Sequence, residues 1–379
     1  MEKTKNILIV AGEASGDLHA AVLVKQIKML QPQWRFFGLG GEKLQEQGVQ
    51  ICYNIVELAV VGLFEVLKNL KKFQKIFQGL LAQVEAKQPA LAILVDYPGF
   101  NLRLAKELKK RNIPVIYYIS PQVWAWGGER IKLIKKCVAR MIVFFKFEED
   151  LYKKENIPVS FVGHPLLDIV KPSLSKEDLL HKLNIPSRRY AIALLPGSRE
   201  KEVKNILPIM LDTAKILAED LPEIQFFLLR SPTVKEDVFK RILSRYKLPL
   251  YLLNNLTYDG IAASDFALVA SGTATLETAI LLTPMAILYK VSFLSWLYLR
   301  MIIKVPYIGM VNIIAQERVV PEFIQYEARA PKIASYIKYI LTNPKELNRI
   351  KGILSSVTQK LGEKQASIRA AEVIASHLK

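Results

Sequence analysis

Short apolar runs, many of them β-branched, alternate along the chain with stretches in which apolar positions recur every three or four residues. In the first part the runs are Ile7–Ala11, Trp34–Gly38, Leu91–Val95, Val115–Ile119, Met141–Phe145 and Ser160–Val162. Near-continuous apolarity over a few residues is what a strand covered on both faces requires. Helical periods between such strands predict a parallel α/β sheet. The rhythm stops between Gly163 and Arg189, where Pro165, Pro172 and Pro186 with mixed charge read as a linker containing one short helix. It restarts at Tyr190–Leu195 and continues through Gln225–Leu229, Leu250–Leu252, Phe266–Ala270 and Met285–Tyr289. From Pro331 to Lys379 the pattern is helical, with Gly352 and Gly362 as expected interruptions. The pattern therefore predicts two doubly wound α/β halves joined near residue 170, with ligands beyond the carboxyl ends of the strands.

Composition narrows the chemistry. The 379 residues carry 53 Lys and Arg against 35 Asp and Glu, a net charge of +18, yet 51% of them are hydrophobic and the mean hydropathy is +0.18. Such hydrophobicity excludes intrinsic disorder. Two cysteines, Cys52 and Cys137, exclude a disulfide framework and a zinc ribbon. The charge leaves nucleic acid, anionic lipid or a phosphorylated substrate as partners. Met1–Lys5 runs directly into a strand, so a cytoplasmic chain is expected. The four histidines are scattered and there is no DxD pair, so a mechanism without metal or cofactor is expected.

Four loops fall where such sheets bind ligands. Gly12-Glu13-Ala14-Ser15-Gly16-Asp17 follows the first strand into a helix; it either presents amides to an anion or is a tight capped turn. Asp96-Tyr97-Pro98-Gly99-Phe100-Asn101 ends a strongly apolar strand, and Asp96 is either a helix cap or a desolvated general base. At Leu195-Pro196-Gly197-Ser198-Arg199 an Arg fork beside a helix N-terminus suits a diphosphate, the rival reading being a βα turn with a surface Arg. Ser271-Gly272-Thr273-Ala274-Thr275-Leu276-Glu277 combines small residues with a carboxylate one turn on, placed either for a ribose diol or for ordinary capping. The Trp124/Trp126 loop and His164 read more readily as structural than as catalytic.

Between Val60 and Leu81 a broad apolar face carrying Leu63, Phe64, Leu67, Leu70 and Phe77 is flanked by Lys68, Lys71, Lys72 and Lys75. That is either a core-facing helix with a solvated lysine side or an interfacial membrane helix. Phe293–Lys304 is a second stretch of this kind, with burial between domains as the rival reading.

Taken together, the motifs resemble those of the lipid-A-disaccharide synthase family, glycosyltransferases of the two-Rossmann GT-B type. The resemblance runs through Ala11–Asp17, Asp96–Asn101, Pro121–Trp126, Gly163–Pro165, Leu195–Arg199, Ser271–Glu277 and Pro306–Asn312. It implies two Rossmann-like domains facing a cleft, 1–168 for the acceptor and 169–345 for the UDP-sugar. Helices 346–379 are expected to pack back on the first domain, exchange between protomers being the alternative. The implied reaction transfers 2,3-diacylglucosamine from UDP-2,3-diacylglucosamine to the 6-hydroxyl of 2,3-diacylglucosamine 1-phosphate, with inversion, giving the lipid A disaccharide 1-phosphate and UDP. Asp96 becomes the expected base. Ser198, Arg199, Gly272, Thr273, Ala274, Glu277 and Asn312 are expected around the donor, and Glu13, Ser15, Gly16 and Asp17 around the acceptor. Leu63, Phe64, Leu67, Leu70 and Phe77 would face an anionic membrane surface on the cytoplasmic side. Neither a cofactor nor a metal is implied, nucleic acid is not an expected partner, and a homodimer stays open. The loop after Asp96 lacks the second acidic residue expected in some relatives. The alternative reading is another GT-B nucleotide-sugar enzyme such as a UDP-GlcNAc epimerase.

Overall fold

A computed structural model describes residues 4–54, 70–124, 128–291, 296 and 306–378. The chain divides into two compact units, residues 1–165 with 362–379, and residues 166–361. The division falls at Pro165 rather than at 168, and only the final helix, not the whole of 346–379, belongs with the first unit.

The first unit holds seven parallel strands: β1 (Asn6–Ala11), β2 (Arg35–Gly40), β3 (Gln50–Asn54), β4 (Leu91–Val95), β5 (Val115–Tyr118), β6 (Arg140–Val143) and β7 (Val159–Phe161). Their order is β3-β2-β1-β4-β5-β6-β7. The expected strands are present; β3, which the pattern did not announce, is an edge strand whose residues are mostly half-buried. One face of the sheet is covered by α1 (Ala14–Leu30), α2 (Glu42–Glu46) and the C-terminal α16 (Ala366–His377), packed through Leu23, Ile27, Ala370 and Ile374. The other carries α3 (Leu70–Lys87), α4 (Pro98–Lys110), α5 (Gly128–Cys137) and α6 (Lys146–Lys154), packed through Leu80, Leu104, Ile134 and Tyr152. Each fully buried aliphatic side chain of this kind contributes roughly 1.5–3 kcal/mol. The last helix is tied down by Arg369, whose guanidinium donates to the Val162 carbonyl at 2.7 and 2.9 Å.

The second unit begins with two short helices, α7 (Leu166–Ile169) and α8 (Lys176–Lys182). Ser175 caps α8 by accepting from the Asp178 N–H. Six parallel strands follow: β8 (Tyr190–Leu195), β9 (Ile224–Arg230), β10 (Leu250–Asn254), β11 (Phe266–Ala270), β12 (Met285–Tyr289) and β13 (Glu322–Ile324). Their order is β10-β9-β8-β11-β12-β13. Connecting helices are α9 (Glu200–Asp220), α10 (Glu236–Leu243), α11 (Thr257–Ala262), α12 (Ala274–Ile280), α13 (Met310–Ala315), α14 (Ala330–Thr342) and α15 (Pro344–Gln359). Gly352 lies inside α15 and does not interrupt it; the expected break comes at Gly362, where φ is +86°.

Both sheets reverse strand order beside their first strand, between β1 and β4 and between β8 and β11. These reversals are the topological switch points, where loops leave in opposite directions and open a crevice at the carboxyl edge. Four of the sequence motifs sit there. The Gly12–Asp17 and Asp96–Asn101 loops flank the first, and the Gly197–Arg199 and Ser271–Glu277 loops flank the second.

Candidate active site

Asp96 follows β4 in a left-handed conformation (φ +46°), and Tyr97 repeats it (φ +48°). Two consecutive non-glycine residues in this region cost on the order of 1–3 kcal/mol each and persist only when the surroundings hold them. Here the Asp96 N–H donates to Tyr118 O at 3.0 Å. Its carbonyl accepts from Asn101 Nδ2 at 2.7 Å and from the Tyr117 hydroxyl at 2.5 Å. Asn101 is fully buried and also donates to Val95 O at 3.1 Å. Asp96 is therefore no side-chain cap of α4; its backbone is clamped, and its carboxyl accepts from the Tyr97 N–H. Burial, and then the nearby Glu13 carboxylate, push that carboxyl up to about 6, against a lowering by the Tyr97 N–H. The same two causes raise the Tyr97 phenol. The loop is shaped by Gly12, where an added Cβ would lie 2.0 Å from the Tyr97 ring.

The N-terminal loop splits into two roles. Glu13 and Ser15 are exposed, Glu13 near enough to act on the Asp96 carboxyl, whereas Gly16 and Asp17 are buried. The Asp17 carboxylate accepts from the N–H groups of Gly41 at 2.7 Å, Lys43 at 3.0 Å and Leu44 at 3.4 Å. That anchors the start of α2 and leaves Asp17 no free face for an acceptor, which corrects its expected role. Gly16 is buried in the first turn of α1, where an added Cβ would make only ordinary contact with Ala11 and Val95 at 3.8 Å, so its role is not a close approach.

In the second unit Ser198 and Arg199 are exposed at the N-terminus of the 21-residue α9. A residue the motif reading missed occupies the anion position there. Glu202 accepts from Ser198 N at 3.2 Å, Arg199 N at 3.3 Å and the Arg199 guanidinium at 2.8 Å. Gly197, at φ +111°, brings the backbone to within 2.7 Å of this carboxylate, measured from its would-be Cβ. The arrangement is a capping box, and an incoming phosphate would have to compete with it. Gly272 and Thr273 are exposed before α12, with Ala274 half-buried. Burial raises the Glu277 carboxyl, and the Tyr258 hydroxyl donates to it at 3.2 Å. Tyr258 was not identified from the sequence; only its distance in space links it to the motif.

Asn312, expected near the nucleotide, spends its side chain within the protein. It is fully buried, donates to Val320 O and Glu322 Oε1 at 2.9 Å each, and accepts from the N–H groups of Val319 and Val320 at 2.9 and 3.0 Å. With Glu322, which also accepts from Ile308 and Gly309, it fixes the turn entering α13. All its capacity is consumed, so it acts on that loop rather than on a ligand.

Of the residues expected to face a membrane, Leu63, Phe64 and Leu67 lie outside the described residues, as does the side chain of Leu70. Phe77 packs inward, its ring edge-on to Phe100 at 5.4 Å. The outward side of α3–α5 is strongly basic, with Lys71, Lys75, Lys106, Lys109, Lys132 and Lys136 all exposed. The Phe293–Lys304 stretch, apart from Trp296, also lies outside the described residues. Among the described residues, no helix is long and apolar enough to cross a membrane, and no group of His, Cys, Asp and Glu is arranged to hold a metal ion.

Comparison with known proteins accords with this geometry. A sequence profile for the family described as lipid-A-disaccharide synthetase matches residues 7–377. The lipid-A-disaccharide synthase of Syntrophus aciditrophicus is 46% identical over 369 residues, 97% of this chain and 96% of that one. Lipid-A-disaccharide synthase 1 of Legionella pneumophila (strain Lens) is 40% identical over 379 residues, covering 100% and 99%. Solved structures share the fold at much lower identity. A UDP-GlcNAc 2-epimerase from Neisseria meningitidis bound to UDP-GlcNAc superposes with a TM-score of 0.61 at 13% identity, covering 98% of this chain and 99% of that one. The kitacinnamycin glycotransferase gives 0.64 at 13%, covering 100% of both. The epimerase likeness is one of fold alone, so the alternative reading has no support at the level of sequence. The chain belongs to the lipid-A-disaccharide synthase family, glycosyltransferases of lipid A biosynthesis.

Proposed function

We propose that the chain transfers 2,3-diacylglucosamine from UDP-2,3-diacylglucosamine to the 6-hydroxyl of 2,3-diacylglucosamine 1-phosphate, with Asp96 as general base. The observation that carries the assignment is a clamped Asp96 backbone with a desolvated carboxyl held at about 6. At neutral pH such a group is about nine-tenths ionised, yet a stronger base than an ordinary aspartate. It takes the proton from the acceptor hydroxyl as that oxygen attacks the anomeric carbon. The bond from that carbon to the UDP oxygen breaks on the opposite face, so configuration inverts and the electron pair leaves with UDP.

Charge developing on the leaving diphosphate is met by Arg199 and the amides of Ser198 and Arg199, once the diphosphate displaces Glu202 from them, and by the backbone around Gly272–Ala274. Glu277, oriented by Tyr258, accepts from the ribose hydroxyls. Glu13 serves twice, contributing to the raised basicity of Asp96 and bordering the acceptor with Ser15. Both substrates carry acyl chains, and we place the protein peripherally on the inner face of the cytoplasmic membrane. The exposed lysines of α3–α5 support that placement by their attraction for anionic headgroups, each worth about 1 kcal/mol near such a surface.

The experiment is UDP release in detergent, with the donor and the monosaccharide 1-phosphate supplied singly and together. Release that needs both lipids, with the β-1,6 disaccharide as product, is expected. No turnover with the complete pair refutes the reading.

A further inference from the structure

Glu148 lies in the run Phe147-Glu148-Glu149-Asp150, which reads as a solvated acidic turn. Its neighbour Glu149, 12% exposed, pairs with Lys153 at 3.0 Å and with Lys146. Glu148 instead turns inward and is only 4% exposed. Around its carboxyl are the Ser120 hydroxyl, the Trp124 indole N–H and the backbone N–H groups of Phe144 and Phe145. Ser120 donates to Pro121 O at 2.9 Å and shares a 2.9 Å hydrogen bond with the Tyr152 hydroxyl of α6. Trp124 Nε1 is buried and stops short of a closed hydrogen bond, while its ring stands edge-on to Phe147 at 5.5 Å. The carboxyl thus lies buried among polar groups of the loop that follows β5.

That loop leaves the sheet beside Asp96. β5 neighbours β4, and Tyr118 O accepts the Asp96 N–H. The chain then passes through Ile119 in a left-handed conformation (φ +69°), a strained state for a β-branched residue, before reaching Ser120. Such strain persists only where neighbouring contacts over-determine it.

We infer that Glu148 is a positioning residue for the reaction, fixing the Ser120–Trp124 loop as the wall against which the acceptor meets Asp96. The inference rests on the reading of Asp96 as base. Burial pushes the Glu148 carboxyl up to about 8, with no charged side chain among the causes. Tyr152, the titratable group facing it from α6, is itself raised and stays neutral. At neutral pH the loop is therefore held by an uncharged acid. No further anion is added beside Asp96, whose carboxyl Glu13 already helps to raise.

The test is steady-state kinetics on the full chain with both lipid substrates, together with acrylamide quenching of tryptophan fluorescence. Glu148→Gln, which keeps a neutral hydrogen-bonding group, should retain most turnover. Glu148→Ala should raise KM for the acceptor about tenfold, the scale of one lost positioning bond, while KM for the donor stays within a factor of two or so. Quenching should increase in Glu148→Ala and not in a Trp124→Phe background. In the wild type the acceptor KM should rise above a midpoint near pH 8, and Glu148→Gln should abolish that limb. Should Glu148→Ala not fold, Ser120→Ala with the Glu148→Gln pH profile reads the same prediction. Unchanged acceptor KM and quenching, or an alkaline limb that survives in Glu148→Gln, overturns the proposal. Turnover surviving in Asp96→Asn would instead remove the base assignment and leave the quenching result standing.

Discussion

A base kept partly desolvated costs the fold stability, and the cost can be measured by neutralising it. Ionised Asp96 is disfavoured in the native state, since its carboxyl lies at about 6 there against the ordinary aspartate value of 3.8. Each tenfold change in proton affinity is worth about 1.36 kcal/mol, so Asp96→Asn should stabilise the protein by on the order of 3 kcal/mol at pH 7. The sign follows from linkage. The folded state binds this proton more tightly than the unfolded chain. The destabilisation is therefore full above the folded value and vanishes below the unfolded one. The gain should shrink to roughly 1.5 kcal/mol at pH 5 and to well under 1 kcal/mol by pH 4. Chemical denaturation of both proteins at pH 7, 5 and 4, following the transition of the first unit, reads this directly. A gain that does not depend on pH, or a loss of stability at pH 7, would refute the picture of a desolvated carboxylate released from helix capping.

Three further outcomes follow from the same geometry. Glu13→Gln removes the second cause of the raised Asp96 carboxyl, so the acid limb of kcat/KM should move to lower pH while staying above 3.8. The wild type should retain about a tenth of its plateau at pH 5, and a higher retained fraction in the variant is the check. Gly12→Ala places a methyl against the Tyr97 ring; kcat should fall while UDP affinity, measured by calorimetry, stays within about twofold, because the nucleotide is assigned to the other unit. Asn312→Ala strips buried partners from Glu322, Val319 and Val320. It should destabilise the second unit by roughly 3 kcal/mol on thermal or denaturant unfolding, and a surface-like change under about 0.5 kcal/mol would contradict the structural role given to it.

Central strands were legible because both their faces are covered, so Leu91–Val95 and Phe266–Ala270 read as unbroken apolar runs. Two of the four edge strands were not: Gln50–Asn54 mixes polar with half-buried residues, and Glu322–Ile324 is too short to show a period. Gly352 misled because an exposed helical glycine costs only about 1 kcal/mol, which the packing of Ile350, Leu354 and Val357 outweighs. Loop position at the switch points identified Asp96, Arg199 and Glu277 correctly as groups at the carboxyl edges. What sequence could not convey is which polar groups are already spent. Asp17 and Asn312 look as available as Glu13 and Ser198, yet their hydrogen bonds close on backbone 7 to 27 residues away. Glu148 was hidden for the opposite reason, since one residue in an acidic run turns inward without any change in composition.

The most direct test of Asp96 as the base is single-turnover formation of the disaccharide by Asp96→Asn, with UDP affinity measured on the same preparation. The predicted result is a fall in rate of a hundredfold or more, on the order of 10²–10⁴ for a lost general base, with UDP binding unchanged. Turnover within about tenfold of the wild type would contradict it.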